Sequence, residues 1–179
     1  MSRKYINTYV NFVCNAYANR YPNVVDKFLS NNKDKIKEVL DSFGVLKRDF
    51  PVKRLYRGVL VDPDSLESRD GRSFLKPLDK IQYLSFTEDR EIAEYFADTG
   101  SDMSGMVMSL HPNYKGYIIT HVPSVDEILI HWRWSILLRI PDMLENAGIT
   151  GANSTILEQR EITLWQRGHE FEVIPYEKN

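Results

Sequence analysis

A single cysteine, Cys14, stands in a chain of 179 residues. That excludes an intrachain disulfide and any metal site built on several thiolates. It follows Phe12 and Val13 in an apolar stretch, which predicts a buried structural thiol. An excess of charge of one sign is also lacking: the formal net charge is only −2. No strong overall field therefore draws the chain to nucleic acid or to a membrane surface, although a local basic groove is compatible with that balance. No window approaches the roughly 18 consecutive apolar residues of a membrane span. Arg3 and Lys4 stand where a signal peptide begins, but Asn7, Asn11 and Asn15 interrupt the apolar run it needs, and no small-residue cleavage site follows. The expectation is a cytoplasmic protein, or one exported by a route that leaves no N-terminal signal. His111, His121 and His169 lie apart with no cysteine nearby, a pattern that argues against a metal centre.

Repeats, low-complexity tracts and Pro/Gly-rich linkers are absent too. The length and mixed composition fit one globular domain over residues 1–179, large enough to bury a substantial core. Residues 1–44 read as helical. Tyr5, Ile6, Tyr9, Val10, Val13 and Tyr17 recur at helical spacing. Pro22 is placed to open a second helix, and Gly44 is placed to stop it. Val24, Val25, Phe28, Leu29, Ile36, Val39 and Leu40 form its inner stripe. The run Asn31-Asn32-Lys33-Asp34-Lys35 marks a break or a solvated face.

From Val52 the texture changes to short strands, expected at 55–61, 81–86, 106–110, 117–121, 135–140, 161–165 and 170–174. One clear helix, 90–97, interrupts them, with Thr87 or Asp89 as its cap and Glu88 and Glu91 suited to its positive end. A shorter helix is expected from Pro141 to about Gly148. Helices first and strands after, with few helices between, define an α+β fold rather than a parallel doubly wound sheet.

Three segments carry chemistry. In Leu55-Tyr56-Arg57-Gly58 an arginine lies in a strand, where its rigid fork suits a phosphate. The glycine beside it allows a ligand or a second strand to come close to the backbone. Taken alone, such an arginine is more often half of a structural ion pair. In Tyr83-Leu84-Ser85-Phe86-Thr87 an apolar strand ends in hydroxyls just before a helix. It could orient a carboxylate across a cleft, or merely cap the helix. In Gln159-Arg160-Glu161-Ile162-Thr163-Leu164-Trp165 an acid opens a strand after the loop Asn153-Ser154-Thr155-Ile156-Leu157. A turn at Gln166-Arg167-Gly168 then leads to Phe171-Glu172-Val173. If Gln159 and Glu161 are both extended, they share a face. Packing explains poorly a carboxylate at the start of a strand beside a mobile loop.

In order and spacing, these segments resemble the Arg / Ser-Thr-Ser / Glu signature of the mono-ADP-ribosyltransferase superfamily, in its cholera-toxin-like and clostridial-toxin-like branch. The resemblance covers about residues 52–175. It departs from the family at Phe86, in the middle place of the hydroxyl motif, and at Thr87 in the last. It implies a split two-sheet core with a cleft that takes NAD as substrate, with no metal. It implies that Arg57, with Gly58, binds the NAD phosphates or adjoining ribose, and that Ser85 orients the catalytic Glu161. Phe86 and Thr87 would line the nicotinamide side. Glu161 would bind the ribose 2′-hydroxyl and stabilise an oxocarbenium-like state, as a carboxylate does in glycoside hydrolysis.

Gln159 stands where members that modify arginine generally have Glu. It therefore implies a different macromolecular acceptor, either a protein side chain or a base of RNA or DNA, since an amide can donate and accept at once. Near-neutral charge leans toward protein. His131-Trp132-Arg133-Trp134 interleaves aromatic and basic groups, as a base-stacking surface does. The competing reading of that segment is a strand whose Ile130, Trp132, Trp134 and Ile136 face the core, with His131, Arg133 and Ser135 opposite. The implied role is that of a bacterial or phage toxin or effector, of a toxin–antitoxin or anti-phage kind, with an inhibitory partner. The alternatives are an NAD glycohydrolase using the same residues, a degenerate transferase fold acting as a binding module, and an α+β structural domain.

Overall fold

The computed structural model describes residues 3–18, 22–44, 51–52, 54–61, 83–99, 115–149, 154–165 and 171–177. Two helices, α1 (Arg3–Ala18) and α2 (Pro22–Asp41), come first. Then follow β1 (Leu55–Val61), β2 (Tyr83–Thr87), α3 (Arg90–Thr99), β3 (Lys115–His121) and β4 (Ile128–His131). Two short helices, α4 (Trp132–Leu137) and α5 (Ile140–Asn146), lead to β5 (Glu161–Trp165) and β6 (Glu172–Tyr176). The fold is α+β, with a six-stranded sheet in the order β4-β5-β2-β1-β3-β6. Every pair in it is antiparallel.

The sheet is narrowest at its middle. β1 and β3 pair continuously from Leu55↔His121 to Val61↔Lys115, and β2 and β5 from Tyr83↔Trp165 to Thr87↔Glu161. Between β1 and β2 one register pair is formed, Tyr56↔Thr87. Two three-stranded halves thus meet close to the point where the three chemical segments converge.

α1 and α2 are integral to this body. Tyr9, Val10, Phe12 and Val13 of α1 and Ile36, Val39 and Leu40 of α2 share one core with Leu55, Phe86, Ile119, Leu129, Trp134 and Ile162. Tyr9 packs at 4.7 Å from the Phe43 ring and 6.5 Å from Trp134, and its hydroxyl donates to the Leu129 carbonyl at 3.1 Å. Burial pushes that hydroxyl's pKa well above the ordinary phenol range. α2 runs unbroken through 31–35, with Asn31, Asp34 and Lys35 exposed, so that run is a solvated face rather than a break. Cys14 is half-buried against the core, and burial raises its pKa.

α3 lies across β1 because two glycines let it. A Cβ on Gly58 would sit 1.7 Å from the Ala93 carbonyl oxygen, and one on Gly116 would sit 2.5 Å from that of Ala97. The close approach expected at Gly58 is therefore made by a helix. Asp89 caps α3, its Oδ1 accepting from Glu91 N at 3.1 Å, while Thr87 Oγ1 accepts from Asp89 N at 3.1 Å.

The expected strand at 135–140 is not formed. Ile128–His131 is the strand, buried at all four positions, and the chain turns helical at Trp132. His131 causes the switch, its Nδ1 accepting from Arg133 N at 3.1 Å as an N-cap. The anticipated alternation fails with it: His131 and Ser135 are buried and Ile136 is exposed. α5 opens at Ile140, one residue before the expected Pro141, which lies in its first turn, and Gly148 at φ 71° follows its end as expected. β3 starts two residues before the expected 117, and β6 runs 172–176 rather than 170–174. The expected strand at 106–110, the turn at 166–168 and residues 81, 82, 111 and 169 lie outside the described residues.

Candidate functional site

Strand pairing brings the three segments together. In the β2–β5 ladder Ser85 faces Thr163 and Thr87 faces Glu161. Alternation puts these four side chains on one side of the sheet and Phe86, Ile162 and Leu164 on the other. Ser85 Oγ donates to Glu161 Oε1, and Thr163 Oγ1 donates to the same oxygen at 3.3 Å. Arg57 of β1 crosses the narrow junction, and its Nη1 donates to the Ser85 carbonyl oxygen at 2.7 Å. Residues 28 and 76 positions apart thus form one hydrogen-bonded chain, Arg57–Ser85–Glu161.

Glu161 is buried, at 8% exposure, while Arg57 and Ser85 are half-buried. Taking a carboxylate out of water costs several kcal/mol unless hydrogen bonds replace its hydration. The hydroxyls of Ser85 and Thr163 supply such bonds here. Such a group is held in one place, and a carboxylate fixed in that way is suited to stabilise a developing cation.

The other anticipated residues divide. Thr87 is buried, with its hydroxyl engaged in the α3 cap. Phe86 points to the opposite face, in the core, 5.7 Å from the Phe171 ring and 6.4 Å from His121. Its large ring at that place is thus a packing residue between the two halves of the sheet. Gly58 lies under α3. Gln159 is half-buried in a bend, and the idea that it shares a strand face with Glu161 does not hold, because Arg160 between them has φ 50°. The segment expected as a loop is a π-helical turn, Ser154–Glu158, anchored by the fully buried Ile156.

Residues that the sequence marked for other roles, as helix cap, helix-dipole acid or stacking segment, complete the surroundings. Asp89 Oδ2 pairs with Arg160 Nη1 at 3.2 Å. Glu88 Oε2 accepts from Trp132 Nε1 at 2.9 Å and lies 3.5 Å from Arg133 Nη2. The guanidinium carbons of Arg133 and Arg160 lie 4.9 and 6.0 Å from the Trp132 ring centroid. Of the four-residue aromatic and basic segment, Trp134 and His131 are core, while Trp132 and Arg133 border the site. Thr163, which the sequence reading gave no role, had a usable signal in lying two residues beyond Glu161 on the same strand face.

An open groove of about 460 Å³ lies elsewhere, lined by Arg54, Tyr56, Arg90, Thr120 and Tyr176 among others. It borders β1, β3 and β6 and does not include Ser85 or Glu161. Among the described residues, no group of three or more His, Cys, Asp or Glu side chains is placed to hold a metal ion. Nor is any helix among them long and apolar enough to cross a membrane. Comparison with models of known protein families, with curated proteins and with solved structures finds no match.

Proposed function

We propose that this chain is a mono-ADP-ribosyltransferase that takes ADP-ribose from NAD, with Glu161 as the catalytic carboxylate. The observation that carries this reading is the hydrogen-bonded chain of Arg57, Ser85 and Glu161. Three segments singled out for their chemistry, far apart in sequence, meet at one junction. Arg57 Nη1 donates to the Ser85 backbone carbonyl, and Glu161 accepts from the hydroxyls of Ser85 and Thr163. The single-pair junction between β1 and β2 is consistent with a cleft between two small sheets, in which NAD would lie.

In this mechanism the bond between the ribose C1′ and the nicotinamide nitrogen breaks, and nicotinamide leaves with the bonding pair. Glu161 accepts a hydrogen bond from the 2′-hydroxyl and its charge stabilises the cationic sugar. The acceptor's nucleophile then bonds to C1′ and gives up its proton. Ser85 and Thr163 keep Glu161 oriented throughout, and Arg57 serves the phosphates. Gln159 favours an acceptor other than arginine, a protein side chain or a nucleobase. NAD consumption, which harms the cell that hosts it, fits a toxin or effector with an inhibitory partner.

Incubation with labelled NAD and a cell lysate, followed by protease or nuclease, tests the reading. Label lost with protease identifies a protein acceptor, and label lost with nuclease identifies RNA or DNA. Free ADP-ribose in large excess over bound label would instead favour a glycohydrolase. No label and no released nicotinamide would refute the activity.

A further inference from the structure

Two acids follow the hydroxyl strand, and each holds a group from beyond it. Asp89 divides its carboxylate: Oδ1 caps α3 at Glu91 N, and Oδ2 takes the Arg160 guanidinium at 3.2 Å. Glu88 fixes the indole of Trp132 through Nε1, and Arg160 lies 6.0 Å from that ring's centroid. Arg160 itself immediately precedes Glu161 and has φ 50°.

Magnitudes show what this pair does not do. The left-handed region is unfavourable for a residue other than glycine. An exposed ion pair contributes little net stability, and this one is open to solvent, at 52% exposure for Arg160 and 27% for Asp89. The pair therefore offsets at most part of the strain beside it. A left-handed arginine persists only where its surroundings over-determine it, and such residues cluster at functional sites.

We propose that Asp89 and Arg160 form a latch that sets the backbone turn entering β5 and so aims the Glu161 carboxylate at its hydroxyl partners. Arg160 is a positioning residue: it acts through Glu161. The geometry favours this because Thr87, two residues before Asp89, is the register partner of Glu161. The same short segment therefore holds Glu161 by its strand and Arg160 by its acid. Trp132, tethered by Glu88, backs the guanidinium.

This inference rests on the transferase reading, and the experiment separates the two. Nicotinamide release from NAD is measured for the parent, D89N, R160G, R160K and the D89N/R160G double variant, with thermal midpoints for each. Asparagine caps a helix as well as aspartate, so D89N removes the charge and keeps α3. Glycine accepts a positive φ freely, so R160G removes the guanidinium and relieves the strain. The latch predicts that D89N and R160G keep the parent's thermal midpoint and KM for NAD while kcat falls about tenfold or more. The double variant should be no slower than R160G, since both changes break one interaction, and R160K should recover part of the rate. Normal kcat in D89N and R160G beside an active parent would overturn the latch alone. Loss of activity in step with loss of thermal stability would also overturn it, in favour of a structural pair. An inactive parent would overturn the transferase reading and the latch together.

Discussion

Ser85 and Glu161 stand two register positions apart on neighbouring antiparallel strands, Ser85 opposite Thr163 and Thr87 opposite Glu161, and the Ser85 hydroxyl bonds the Glu161 carboxylate across that diagonal. Both groups sit on rigid strands, so the bond does not depend on a flexible side chain finding its partner. Thr163 adds a second, longer bond to the same oxygen.

Ser85→Ala removes the closer hydroxyl and leaves Thr163. If Ser85 orients Glu161 for reaction, kcat for nicotinamide release should fall by about 10- to 100-fold with little change in thermal midpoint. Steady-state kinetics beside a melting curve checks this. Unchanged kcat would mean that the serine only satisfies a buried acid.

Gly58→Ala should destabilise the fold without touching the chemistry. The added methyl would fall 1.7 Å from the Ala93 carbonyl oxygen, which belongs to helix backbone and cannot rotate away. Displacing α3 should cost about 1–3 kcal/mol or more, as overpacking does. Urea denaturation measures it, and a variant as stable as the parent would show that α3 does not rest on β1 as described.

His131 gives the stability a defined pH dependence. Burial first, and Arg133 second, lowers its pKa from 6.5 to about 4. Above pH 6.5 the ring is neutral in both states and its contribution is complete. Between 6.5 and about 4 the unfolded chain binds a proton that the folded chain refuses, so stability falls as pH falls. The loss amounts to about 3 kcal/mol at 1.36 kcal/mol per pKa unit. His131→Asn keeps a capping acceptor without a titrating ring. Its unfolding free energy should be lower at pH 7 and decline less toward pH 4 than the parent's. Parallel curves for the two proteins would contradict this assignment.

Much of the scaffold was legible because its signals are local. The stripe of Tyr9, Val10 and Val13 packs as helical spacing requires, and Pro22 begins α2. β1 spans the anticipated 55–61, and β5 begins at Glu161. The failures come from single residues that override a pattern. The alternating Ile130, Trp132, Trp134 and Ile136 read as a strand, but one hydrogen bond from Arg133 N to His131 started a helix. The two-residue spacing of Gln159 and Glu161 implied a common face until the left-handed Arg160 broke it. Gly58 looked like a place for a ligand because sequence does not show which element approaches. The convergence of Arg57, Ser85 and Glu161 was legible as a resemblance only. Their hydrogen bonds depend on strand register, as does the pairing of Asp89 with Arg160, and no local periodicity encodes register between distant strands.

The most direct test compares nicotinamide release from NAD by the parent protein and by Glu161→Gln, an isosteric change that keeps the shape of the site and removes its charge. We predict measurable release by the parent and a loss of at least about 10²–10³ in the variant, the usual cost of one preorganised electrostatic group, with the two proteins equally folded. A Glu161→Gln protein that releases nicotinamide as fast as the parent would contradict the central claim.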